Sequence, residues 1–157
     1  SGVYILDAGA VFENCTVSNN RTDYTGRGGG ILFSSIASFA SMDFALQMTD
    51  SVVSKNTAGF MGGGICVEMG RAFFTGCVVE NNKVRGSEAV AGGVFTGRRS
   101  VFERTSIKGN IARGAPDDLW IDSRYEYEGV LTRGGNVIGN VSHGLFPDNG
   151  KEDKVGK

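Results

Sequence analysis

The chain has 157 residues, carries 16 basic against 17 acidic side chains for a net charge of −1, and holds 25 glycines but only 2 prolines. That length allows one domain, and charge spread so evenly offers no basic block to track phosphates or an anionic membrane face, which argues against nucleic acid. No stretch approaches the roughly eighteen apolar residues that span a bilayer, and no signal-peptide pattern opens the sequence, so the chain reads as soluble or already processed.

The N-terminal stretch already holds the unit from which the rest is built. Gly2 to Cys15 matches Gly64 to Cys77 without a gap. Laying further segments beneath gives columns: Phe12, Met48, Phe74 and Phe102; Cys15, Ser51, Cys77 and Thr105; Val17, Val53, Val79 and Ile107; Asn20, Asn56, Asn82 and Asn110. Ala10, Leu46, Ala72 and Ser100 form another, as do Val3, Ile31, Ile65, Val94 and Leu119. The asparagines recur at 36, 26 and 28 residues, a period that belongs to solenoids. Each period holds short apolar alternations punctuated by glycine and no apolar stripe long enough for a helix, so its elements are strands and corners. Period-two alternation turns Phe74, Cys77 and Val79 to one side and Thr75, Val78 and Glu80 to the other. The first set is the expected interior of a parallel β-helix, with Phe12, Ile31 and Ile65 also buried, and stacked asparagine amides can hydrogen-bond from rung to rung. An N-terminal rung with nothing over it implies either a piece of a longer protein or a partner on that end.

The second repeat is longer than the others between Phe33 and Leu46. Its extra segment, within residues 34–43, must leave the coil, and the spacing of Ile36, Phe39 and Met42 allows a turn or two of helix lying on the wall; a tolerated surface insertion is the plainer reading. The repeat fades near Asn110. Leu119-Trp120-Ile121 restores the alternation, and Gly134 to Asn140 reads as a degenerate fifth rung with Asn140 in the asparagine column. The domain is therefore placed at residues 1–140, with 141–157 a solvated, mixed-charge tail around Lys151-Glu152-Asp153-Lys154. Cys15 and Cys77 stand two rungs apart, roughly 9 to 10 Å, too far for a disulfide, and Cys66 lies in a different column.

Paired with these corners (Gly28 to Ile31, Gly62 to Ile65, Gly92 to Val94) is an apolar-x-x-Asn tetrad, Val17 to Asn20, Val53 to Asn56, Val79 to Asn82 and Ile107 to Asn110. The combination resembles the repeats of chlamydial-type polymorphic outer membrane proteins, and is similar also to many other right-handed β-helix proteins. Here the tetrad opens with Val or Ile. The resemblance covers residues 1 to about 140 and implies surface display, adhesion or a structural role at a cell surface, with no catalytic residues to carry over. With the right-handed rule for parallel crossovers, it makes the expected fold a single-stranded right-handed parallel β-helix of about five short rungs.

Right-handed β-helices also include polysaccharide lyases, hydrolases and epimerases, whose chemistry needs carboxylates and a base or metal clustered on adjacent rungs. The outward rows run Glu13, Thr49, Thr75, Glu103 and Ser18, Ser54, Glu80, Lys108, with no two carboxylates on neighbouring rungs of one row. Asp117-Asp118 follow Pro116, where acidic residues commonly form turns. His143 is the only histidine, and no metal, cofactor or nucleophilic cluster assembles around it. Gly26-x-Gly28 lacks the strand and helix of a nucleotide loop, and the glycosylation patterns at Asn14, Asn20 and Asn140 fall partly on ladder positions. Two classes of function follow: a non-catalytic structural or protein-interaction solenoid, either an accessory subunit of a larger, membrane-associated assembly within an organelle lumen or a surface adhesin fragment; or a carbohydrate-binding or carbohydrate-active β-helix with a glycan ligand. For the first class, alternation turns Tyr4, Leu32, Cys66, Phe95 and Trp120 outward as a row, a candidate partner-binding strip. The alternative is that the insertion, or the tail with Leu145 and Phe146, folds back over it.

Overall fold

The computed structural model describes residues 1–37, 41–96, 99–122, 130–144, 146–147 and 152–156. Alternating short strands and glycine corners wind the chain through four walls per turn, and each wall stacks on its counterpart in the next turn. Wall A holds Val3–Leu6, Ile31–Ser34, Ile65–Met69, Val94–Thr96, Leu119–Ile121 and Val141–His143. Wall B holds Ala10–Glu13, Leu46–Thr49, Ala72–Thr75, Ser100–Glu103 and Leu131–Gly134. Wall C runs from Thr16–Ser18 through Val52–Ser54, Val78–Glu80, Ser106–Lys108 and Val137–Ile138 to Lys154–Val155. Wall D is shorter: Thr57–Ala58, Lys83–Val84 and Ile111–Ala112, with Ala115–Pro116 added antiparallel. Walls A to C pair only in parallel, so the molecule is an all-β, parallel-stranded solenoid.

The register reproduces the columns read from the sequence. Phe12, Met48, Phe74 and Phe102 are consecutive partners, and the rings of Phe74 and Phe102 stack with centroids 4.9 Å apart. Val17, Val53, Val79 and Ile107 stack likewise. With Ile31, Ile65, Val94 and Leu119 they form one continuous core, each large side chain worth about 1.5–3 kcal/mol of burial. Phe12 is only partly buried against it. At Thr132, which pairs with Phe102, a polar residue enters the column.

Two polar ladders run beside this core. In the first, the backbone N–H and Nδ2 of Asn20 both donate to Asn56 Oδ1 at 3.0 Å; Asn56 donates in the same way to Asn82, and Asn82 to Asn110. Each Nδ2 from Asn56 onward also donates to a wall C carbonyl of the preceding rung, as Asn82 does to Val53 at 2.9 Å. The ladder ends on Asp118, whose Oδ1 accepts from Asn110 N at 2.7 Å and Nδ2 at 2.8 Å. Asn140 does not occupy the column, contrary to expectation; it is half-buried, with its side-chain amide 2.8 Å from the Ser142 hydroxyl. A second ladder follows the corner between walls B and C through Cys15, Ser51, Cys77, Thr105 and Asn136. It ends on Asp153 Oδ1, which accepts from Asn136 N at 2.8 Å and Nδ2 at 2.9 Å.

This second terminus corrects the expected tail. Val141–His143 joins wall A against Leu119–Ile121, and Lys154–Val155 joins wall C against Val137–Ile138, so residues beyond 140 contribute to a further, partial rung. Charged residues coil here because Asp153 supplies the acceptors that Asn136 would otherwise lack. The insertion of the second rung includes a 3-10 turn, Met42–Phe44, and exposes Ile36; Phe39 lies outside the described residues. The carbonyl of Asp43 sits where a Cβ on Gly9 would stand, so the insertion crosses the corner between walls A and B.

Candidate interaction surfaces

Wall A stacks the expected outward row in register, Tyr4 on Leu32 on Cys66 on Phe95 on Trp120. These side chains do point away from the core, yet they do not form an open strip. Cys66 is fully buried and Phe95 is 6% exposed, because Met61, Val90 and Ala91 of the glycine corners pack over them as a second small core. Leu32 and Trp120 are partly buried against the same cluster, and Trp120 stacks on His143 with centroids 4.6 Å apart. Only Tyr4 stands free, at 58%. Among the described residues the insertion lies over Gly9 and Phe146 packs against Phe102, so apart from His143 on Trp120 neither expected cover is seen on the row, and Leu145 is outside the described residues. The corners themselves fold outward far enough to cover the row, through bridges from Arg27 to Met61 and from Met61 to Val90.

Wall B carries an apolar row that the sequence reading missed. The outward second position of each strand reads Val11, Gln47, Phe73, Val101, Leu131, in continuous register. Val11 is 63% and Leu131 60% exposed, with Phe73 and Val101 between buried and exposed. Beside it lies the row Glu13, Thr49, Thr75, Glu103. Arg104 and Arg133 approach the Glu103 carboxylate, each at 3.8 Å. The available signal was the alternation: with Phe74 inward, Phe73 had to face out.

The buried acids and thiols serve the fold in their present contacts. Asp117 Oδ2 accepts from Ala91 N at 3.0 Å and its Oδ1 accepts from Ser142 at 2.8 Å. Burial pushes the carboxyl of Asp118 above the usual range, opposed by hydrogen bonds from Asn110 and the Asn140 N–H, with the Asp117 charge adding to the rise. Burial, with a contribution from Glu68, pushes the Cys66 thiol up; burial does the same to Cys77, whose Sγ donates to the Met48 carbonyl, so both are poor nucleophiles. All three cysteines are free thiols. Among the described residues no three His, Cys, Asp or Glu side chains gather as metal ligands, and no helix is long and apolar enough to cross a membrane. No family model, curated protein or solved structure matches the chain.

Proposed function

We propose that this chain is a non-catalytic interaction solenoid, coiled as a right-handed parallel β-helix and serving as an accessory subunit of a larger assembly or as part of a surface adhesin. The observation that carries the reading is the exposed apolar row of wall B. Val11 and Leu131 lie at opposite ends of the wall B sheet with Gln47, Phe73 and Val101 between them, and no described segment covers the row. A largely apolar row on an exposed sheet face costs solubility unless something binds it. The partner is a protein that lays a complementary apolar surface on this sheet, with Glu13 and Arg133 as polar rim. The likeness to polymorphic outer membrane protein repeats agrees with display at a surface. Tyr4 remains a contributor at the first rung of wall A, while Leu32, Cys66, Phe95 and Trp120 pack beneath the corners or against His143.

Replacing Phe73 and Val101 together by Asp tests this. The tagged wild type is expected to co-purify with a defined partner from its source cells, and the double variant to lose that partner with an unchanged β-sheet circular dichroism spectrum. Retention of the partner by the variant, or measurable turnover of an acidic polysaccharide by the wild type, would overturn the reading.

A further inference from the structure

Winding the chain gathers positive charge that the linear sequence scatters. Arg21 bridges to Thr57, Thr57 pairs with Lys83, and Lys83 with Ile111, so Arg21 and Lys83 belong to one row along wall D. Arg85 and Arg113 follow Val84 and Ala112, which are partners, and so repeat one rung apart. Lys55 stands at the corner entering wall D, where Asn19, Asn81 and Gly109 hold the same place in other rungs. All four have left-handed backbone, with φ of 57° at Lys55, a conformation that Asn and Gly adopt more readily than Lys. Nothing in the turn requires a lysine there.

Lys55, Lys83 and Arg85 converge on one cleft of about 580 Å3, together with Thr57, Asn81 and Ile111, and no carboxylate lines it. Arg85 also lines the adjoining cleft that holds Arg21, Tyr24 and Asp23. Arg21, Lys55, Lys83, Arg85 and Arg113 are all exposed, and none forms an ion pair among the described residues. Carboxylates do flank the stripe: Asp23 lines the second cleft, exposed Glu88 follows Arg85 by three residues, and Glu80 stands beside Lys108 in the strand register of wall C.

We propose that this stripe binds an acidic polysaccharide laid along the solenoid axis. Every rung from that of Arg21 to that of Arg113 puts a cation on this edge, though in neighbouring columns: Arg85 and Arg113 stand one rung (about 4.8 Å) apart, and Arg21 and Lys83 two rungs apart with Thr57 between them, a spread that suits an extended polymer bearing many anionic groups. Thr57 and Asn81 add a hydroxyl and an amide between the cations, groups that pair with sugar hydroxyls. A single-stranded nucleic acid would want a series of aromatic side chains on which to stack successive bases, whereas the Lys55 cleft has none and the adjoining cleft only Tyr24.

Affinity electrophoresis of the whole chain in gels containing polygalacturonate, heparin or neutral dextran, with a gel shift against oligo-dT, tests the proposal. Retardation is expected with polygalacturonate, heparin or both, which separates carboxylated from sulfated ligands, and none with dextran. K83E/R85E should weaken binding about tenfold or more, whereas R104E/R133E, the same charge change placed on wall B, should not. Lys55→Asn, which installs the residue found at positions 19 and 81, preserves the turn and should weaken binding on its own. The proposal is overturned by equal retardation in dextran, by tighter binding of oligo-dT, by equal losses in the two double variants, or by no retardation in either acidic glycan.

Discussion

Asn82 shows what a single residue does in this fold. Its Oδ1 accepts from the Asn56 N–H and Nδ2, while its own Nδ2 donates to Val53 O and Asn110 Oδ1, all with no solvent exposure. Asn82→Ala would leave the Asn56 N–H buried without a partner, at about 1–3 kcal/mol, and would remove the amide's own bonds to Val53 O and Asn110 Oδ1, at about 1 kcal/mol each. A loss of about 3 kcal/mol or more in urea denaturation is expected, and a loss under 1 kcal/mol would show that water replaces the amide. Asp118 is the other telling residue. Its folded-state pKa lies above its unfolded one, so the native state holds the proton more tightly and Asp118 favours folding most below the ordinary carboxylate pKa. That contribution fades as pH rises from about 4 through the raised pKa. Asp118→Asn keeps an acceptor for Asn110 but no charge, so the stability difference between wild type and variant should shift with pH in the variant's favour towards neutrality. A difference independent of pH between 3 and 7, measured by denaturant titration at each pH, would exclude this role. The asparagine column was legible because identical residues recurred in it. Its terminus was not, since an aspartate after a proline has the same local signature whether it forms a turn or ends a ladder.

At the scale of the element, the corners decide how closely rungs approach. A Cβ on Gly63 would lie 2.3 Å from the Gly92 carbonyl oxygen and 2.6 Å from that of Lys83, both backbone atoms that cannot swing aside. Gly114 meets nothing within 4 Å and carries only the cost of its φ of 77°. Gly63→Ala should therefore abolish cooperative folding, whereas Gly114→Ala should cost about 1 kcal/mol, the left-handed penalty of an L-residue. Thermal melts followed by circular dichroism distinguish the two, and similar melting temperatures would mean that the corner backbone can spread. These corners also explain why the outward rows were only half legible. Alternation correctly turned Cys66 and Phe95 away from the core, but that Met61, Val90 and Ala91 would lie over them depends on the path of the corner in space. On wall B alternation alone sufficed, and Phe73 stayed hidden because Phe-Phe side by side looks like core on both faces.

For the whole molecule, the repeat was legible from the columns because stacking gives every inward position the same neighbours one rung above and below. Its handedness has no comparable signature in the side chains. Charge was misleading for the same reason that the hydrophobic columns were informative. Apart from the neighbours Lys83 and Arg85, these cations (Arg21, Lys55, the Lys83–Arg85 pair and Arg113) lie about a repeat length apart along the chain, and no long run of sequence is basic. Coiling converts separation by a repeat length into separation by one rung, so a chain of net charge −1 still carries a positive edge. The apolar row of wall B arises in the same way, with one residue from each turn. In a solenoid, therefore, composition bounds a binding surface less tightly than the columns do.

The asparagine ladder also has an electrical polarity. Each side-chain amide from Asn56 to Asn110 turns its oxygen towards the previous rung and directs one of its N–H groups towards the next, so the amide dipoles along the column add instead of cancelling. The positive end of this row rests on the carboxylate of Asp118, much as the positive end of a helix rests on an acidic cap. Asn110, the last amide of the row, opposes the burial that raises the pKa of Asp118, and the aligned amides behind it are expected to strengthen Asn110 as a donor. Taking out one dipole by Asn82→Ala should raise that pKa further, visible as a later titration of the Asp118 carboxyl carbon by NMR even though its own hydrogen bonds to Asn110 are intact.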